Sequence, residues 1–158
     1  ILHEYWRPNI FYKDLAKRAS RQVEFLGYVS DEKLARLYAG ARAFLALAQD
    51  EDFGITPVEA MLAGTPVVAF KGGGYLESVV DPSTGSGQGA TGVFFDEYTT
   101  DSLVKAIKRL DKMAIKAEDC QKQAEKFSKA RFKEEIENFV KSKVRTQKSK
   151  AQLKNKKF

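Results

Sequence analysis

The stretch from Glu51 to Phe70 constrains the fold of this 158-residue chain more than any other. Glu51-Asp52-Phe53-Gly54 reads as a loop, Ile55 to Leu62 as a short helix, Gly64 as its stop and Pro66 to Phe70 as a buried strand. Pro57 falls in the first helical turn, where a missing N–H costs nothing. Ahead of the loop, Ala43 to Leu47 is an apolar run of strand length.

The rest of the chain keeps alternating. Helices are expected at Phe11 to Ala19, starting near Asn9, and after Ser30, an N-cap for a helix carrying Leu34, Leu37 and Tyr38 on one face. Val23 to Leu26 and Gly92 to Phe95 read as strands, and Tyr75 to Val80 as a short helix after Gly72-Gly73-Gly74. Thr100 or Asp101 is expected to cap a helix through Leu103, Val104, Ile107, Leu110 and Met113. Two further helices follow, at about Glu118 to Phe127 and from Lys129 past Val140. Strand–helix alternation of this kind predicts an α/β domain: a parallel sheet with helices on both faces. Asp81 to Ala90 breaks the pattern. It is small, polar and Gly-rich, and reads as a flexible surface insertion rather than a phosphate-binding loop, having no Walker lysine.

Composition sets the outer limits. One cysteine, Cys120, excludes an internal disulfide and a multi-cysteine metal site, and fits a reducing, cytoplasmic compartment. No apolar run approaches the roughly 20 residues of a membrane span, and there is no secretory signal pattern at the start. The absence of an initial Met leads to the expectation of a fragment. The net charge of +6 is unevenly placed: residues 141–158 hold eight Lys or Arg and no acid, so that +8 tail leaves residues 1–140 at −2. Two domains of behaviour are expected, a globular body over 1–140 and a basic helix end and tail over 141–158. The tail reads as a solvated helix end running into a disordered extension; its alternative is an anionic membrane surface, which would make the protein peripheral at the inner face. Nucleic acid is not expected as a partner, because no aromatic interleaving or RNA-binding motif accompanies the bases.

The chemistry concentrates around the short helix. Glu51 lies in the loop at its N-terminus and Glu59 about two turns on, with seven residues between them. A helix N-terminus has unpaired N–H groups and partial positive charge, and favours an anion such as a diphosphate. Carboxylates beside it accept hydrogen bonds from sugar hydroxyls. Gly54 allows a close approach of the backbone, so the amides of Gly54, Ile55 and Thr56, next to Phe53, are candidates to face the diphosphate. Thr56 is equally a capping residue. Together these groups suit a nucleotide sugar.

Glu51…Phe53-Gly54…Glu59-Ala60-Met61, followed by Gly64-Thr65-Pro66-Val67-Val68, resembles the signature of the retaining glycosyltransferases of family four, also called group 1. Two acids at this spacing alone mean little; their joint occurrence with the other elements is specific. Val23-Glu24-Phe25-Leu26-Gly27-Tyr28-Val29 with Leu34…Leu37-Tyr38…Ala41, Gly72-Gly73-Gly74…Glu77 and Thr91-Gly92-Val93-Phe94-Phe95 extend the resemblance from about Val23 to Phe139. It implies a Rossmann-like domain, one half of a two-domain GT-B enzyme, with C-terminal helices. It implies that Glu59 accepts the ribose hydroxyls of a UDP- or GDP-sugar and that Glu51, the catalytic residue of the site, contacts hydroxyls of the transferred sugar. It implies no metal or other cofactor, the nucleotide sugar being a substrate.

The resemblance also implies what stands outside these residues: an acceptor-binding N-terminal domain, and an Arg and a Lys that neutralise the diphosphate. The family's Gly-Asp-Gly-like turn is replaced by His3-Glu4-Tyr5-Trp6. A truncated, non-catalytic nucleotide-sugar-binding or interaction domain is therefore the alternative. Gly72-Gly73-Gly74 is a tight turn that either lines the cleft or does not, and Glu77 is a family acid or a solvated helix residue. His3 has no catalytic partner, and Cys120 falls in a helix with no sign of being a nucleophile.

Overall fold

The computed structural model describes residues 10–84 and 89–155, so His3, Glu4, Tyr5, Trp6 and Asn9 lie outside it. The elements are α1 (Ile10–Arg18), α2 (Asp31–Gly40), β1 (Phe44–Ala46), α3 (Ile55–Leu62), β2 (Val67–Phe70), α4 (Tyr75–Ser78), β3 (Gly92–Phe95), α5 (Thr100–Leu110), α6 (Ala117–Glu125) and α7 (Lys129–Asn155). The chain forms two compact units, Ile1–Leu34 and Ala35–Phe158.

In the smaller unit, the Tyr12 ring of α1 meets Phe25 edge-on at 5.3 Å. Ser30 caps α2 as expected, its hydroxyl accepting the Lys33 amide at 3.3 Å. Val23 to Leu26 is not a strand. A strand exists through its ladder, and no described segment pairs with this one.

The larger unit is built on a parallel sheet in the order β1-β2-β3, with Phe44 opposite Val67 and Val67 opposite Gly92. Side chains alternate across the sheet. Val67, Ala69 and Phe94 cluster with Val58 and Met61 of α3 and with Cys120 and Ala124 of α6. Val68, Val93 and Phe95 cluster on the opposite face with Ala106 and Leu110 of α5. The runs Val67–Phe70 and Gly92–Phe95 are apolar throughout because both faces are covered. The result is the α/β arrangement expected from the alternation, and it is Rossmann-like, as the resemblance implies.

Three local features depart from expectation or refine it. The cap of α5 is Thr99, whose hydroxyl accepts the Ser102 amide at 3.2 Å, not Thr100 or Asp101. In Thr99-Thr100-Asp101 each residue has capping chemistry, and the extended backbone at Thr99 decides. The Gly-rich stretch opens on a buried anchor: Asp81 is 1% exposed and accepts the Phe94 amide at 2.7 Å and the Ser83 amide at 2.9 Å. The Arg109 guanidinium of α5 pairs with it. Residues 85–88 lie outside the described residues. Finally, α7 continues as helix to Asn155, so the helix end expected in the basic stretch takes up most of it. Lys, Arg, Gln and Ala are good helix formers, and they dominate this segment.

Candidate functional site

The site lies at the carboxyl ends of β1 and β2, the edge at which open α/β sheets bind ligands. Two loops meet there, one leading from β1 to α3 and the other the glycine turn from β2 to α4. The Glu51 carbonyl accepts the Gly74 amide at 2.8 Å. A side chain at Gly73 would collide with the Glu51 carbonyl oxygen, and a Cβ at Gly74 would come to 2.5 Å from Phe53 Cα. The glycines are therefore both turn and contact surface. They let the two backbones touch.

Glu51 is half-buried, and its Oε1 accepts the amides of Gly54 at 3.0 Å and Phe53 at 3.5 Å. The carboxylate thus sits at the start of α3 and holds the Gly54 amide that was expected to face a ligand. Gly54 has φ +75°, and a Cβ there would lie 2.7 Å from the Tyr75 ring. Tyr75 is buried beneath the loop. Burial raises its phenol pKa, with Glu51 charge adding to the effect. Ile55 and Thr56 occupy the first turn of α3 and are exposed; helix geometry leaves first-turn amides without intrahelical partners. The Phe53 ring packs edge-on against Phe127 at 5.5 Å, so its side chain anchors the loop to the segment after α6.

Glu59 lies on the exposed side of α3, while its neighbours Val58, Ala60 and Met61 are buried. Its Oε2 accepts the Tyr38 hydroxyl of α2 at 3.4 Å. The Tyr38 ring stands edge-on to Phe44 at 5.7 Å, and its carbonyl accepts the hydroxyl of buried Thr65. Burial raises the Tyr38 phenol pKa, with further contributions from the Glu59 charge and hydrogen bond. The sequence marks Tyr38 only as one residue of an apolar helix face. A tyrosine on such a face needs a partner for its hydroxyl, and that is the signal that could have singled it out.

The fold brings Glu51, Phe53, Gly54, Ile55 and Thr56 into one loop-to-helix start, with Glu59 one turn further along α3. Glu77 is exposed on α4. A pocket of about 210 Å³ lined by Leu47, Phe95, Tyr98 and Leu103 lies beside β3 and includes none of the predicted residues. Cys120 is fully buried, its thiol pushed up to about 11 first by that burial. Among the described residues, no helix is long and apolar enough to cross a membrane.

Comparison with known proteins places this geometry in a family. The sequence pattern of the family described as "Glycosyl transferases group 1" matches residues 7–127. The alpha-1,3/1,6-mannosyltransferase ALG2 of Mus musculus is 35% identical over 135 residues, covering 82% of this chain and 32% of that protein. The O-antigen chain mannosyltransferase B of Escherichia coli is 42% identical over 65 residues, covering 40% of this chain and 17% of that protein. The sucrose-phosphate synthase of Thermosynechococcus elongatus shares the fold, with a TM-score of 0.62 at 23% identity, over 89% of this chain and 34% of that one. The chain thus spans about a third, or less, of the length of these proteins. Its parallel sheet has the architecture of one GT-B half, and the chain belongs to the group 1 glycosyl transferases.

Proposed function

We propose that this chain is the donor-binding half of a retaining hexosyltransferase that uses a UDP- or GDP-sugar. The observation that carries the reading is the placement of Glu51 and Glu59 around the start of α3, at the carboxyl edge of a parallel sheet. Glu59 receives the ribose hydroxyls, the first turn of α3 receives the diphosphate, and Glu51 contacts the transferred hexose. Mannose is the sugar named for several relatives, which supports a hexose.

The chemistry is front-face displacement with oxocarbenium character, in which the leaving phosphate helps to take the acceptor proton. The protein positions the parts and stabilises charge, with the dipole of α3 and positive side chains doing the work without a metal. The acceptor-binding site and those cations belong to an N-terminal domain and adjoining segment of the same protein, so residues 1–158 alone transfer no sugar. The test is transfer from UDP- and GDP-hexoses by the full-length protein and by the 158-residue chain, reading the anomeric configuration of the product. Inversion, or turnover by the short chain, contradicts the reading.

Helix α7 supports a second proposal, peripheral attachment at the cytoplasmic face of a membrane. Phe132, Ile136, Phe139, Val140 and Val144 are exposed along it beside Lys141 and Lys143. Apolar side chains flanked by bases suit an anionic lipid surface, at about 1 kcal/mol per base near the surface. Co-sedimentation with anionic vesicles that salt reverses is the expected result; equal binding to neutral vesicles contradicts it.

A further inference from the structure

We propose that Tyr38 is a positioning residue for Glu59, orienting its carboxylate for the two ribose hydroxyls and so setting the preference for ribose over deoxyribose in the donor. This rests on the reading that Glu59 binds ribose. Tyr38 itself belongs to no motif; the argument comes from its two contacts, with Glu59 in the middle of α3 and with Thr65 just after the end of that helix.

A glutamate on an exposed helix face has three soft torsions and no reason to hold one rotamer. Glu59 is exposed, yet Oε2 receives the Tyr38 hydroxyl at 3.4 Å. That is long for an O–H···O bond, so the contact aims the carboxylate more than it binds it. Tyr38 itself is not free to follow a wandering partner. Its ring is braced edge-on by Phe44 of β1, and its carbonyl is held by the hydroxyl of Thr65. Thr65 is 2% exposed and lies in the turn that ends α3, where its amide bonds to the Ala60 carbonyl at 3.0 Å. A rigid phenol is thus presented from a fixed backbone to one oxygen of the carboxylate.

The chemistry of that contact is asymmetric. A phenol can donate only one hydrogen bond, so it engages Oε2 and leaves Oε1, with the remaining lone pair of Oε2, to accept from hydroxyls. An ionised carboxylate that accepts from three hydroxyls makes charge-assisted bonds with each. Tyr38 is a donor at neutral pH as any phenol is, and burial first, then Glu59, raise its pKa further. Removing the hydroxyl leaves the carboxylate charged but unaimed. The loss then falls on the ribose hydroxyls and not on the diphosphate, which other groups hold.

The test is calorimetric titration of the full-length protein, using UDP and GDP and their 2′,3′-dideoxy counterparts. The readout is the ratio of the two dissociation constants, that of the dideoxy nucleotide divided by that of the ribonucleotide. Tyr38→Phe retains the ring on Phe44, and is expected to lower that ratio by about 3- to 10-fold while binding of the dideoxy nucleotide is unchanged. In a Glu59→Ala background the same substitution is expected to change nothing further. If Glu59→Ala loses the ratio while Tyr38→Phe keeps it, the positioning role is wrong and the ribose role of Glu59 stands. If Tyr38→Phe weakens both nucleotides equally, its role is structural only and the inference is overturned. If Glu59→Ala keeps the parent ratio, the ribose reading beneath it fails.

Discussion

The amide of Gly74 donates to the Glu51 carbonyl at 2.8 Å, fastening the glycine turn after β2 to the acidic loop after β1. This contact makes one site of two loops separated in sequence. Gly74 has an ordinary helical φ of −63°, so an alanine there has no backbone objection; the obstacle is steric, Phe53 Cα at 2.5 Å and the Asp52 carbonyl oxygen at 2.6 Å. Gly74→Ala is expected to lower stability by about 1–3 kcal/mol, as overpacking does. It is also expected to weaken nucleotide binding, because the loop that leads into the first turn of α3 must move. Denaturant melts and a nucleotide titration of the variant check both; unchanged values in both would show that the loops are not coupled.

Asp81 is expected to control acid stability. Burial pushes its pKa up, but hydrogen bonds from Phe94 and Ser83 and the Arg109 charge outweigh that, and the carboxyl is held below its ordinary value. A depressed carboxyl contributes stability that is complete above its unfolded value of about 4 and is lost as pH falls through the depressed one. Asp81→Asn is therefore expected to cost about 2–4 kcal/mol near neutral pH, leaving the Phe94 amide and Arg109 poorly matched, and less at about pH 3. Melts of parent and variant across that range should converge on the acid side. Parallel curves would mean that Asp81 is not the titrating group.

Cys120 is expected to be inert in the folded protein. It is fully buried, weakly hydrogen-bonded to the Thr91 carbonyl at 3.9 Å, and its thiol is pushed up to about 11. Thiolate is the reactive form and is scarce at pH 8. A disulfide reagent should label it only at the rate at which the protein opens. Fast labelling without denaturant contradicts the burial.

What the sequence discloses and what it hides follow from range. Ile55 to Leu62 and Gly92 to Phe95 are legible to the residue, because Gly54, Pro57 and Gly64 punctuate the first and a dense apolar run defines the second. The placement of Glu51 and Glu59 about a helix start follows from the same local signals. Val23 to Leu26 has strand composition but no ladder, and pairing is not a property of the segment itself. Asp81 is disguised by the Gly- and Ser-rich residues after it; its partners Phe94 and Arg109 are 13 and 28 residues away. Tyr38 and Glu59 are 21 residues apart and meet only through the tertiary fold.

The central claim is that Glu59 binds the nucleoside and Glu51 the transferred sugar, and calorimetric titration of UDP and GDP into Glu59→Gln and Glu51→Gln of the full-length protein tests it most directly. Glutamine retains the shape but loses the charge and one acceptor. Loss of charge-assisted bonds to two ribose hydroxyls should raise the dissociation constant of Glu59→Gln by roughly 10- to 100-fold, about 1.4–2.8 kcal/mol. Stability should barely change, since the side chain is exposed. Glu51→Gln should bind the free diphosphate nearly as the parent does and lose turnover instead. If Glu59→Gln binds as tightly as the parent while Glu51→Gln does not, the roles of the two acids are reversed and the account is contradicted.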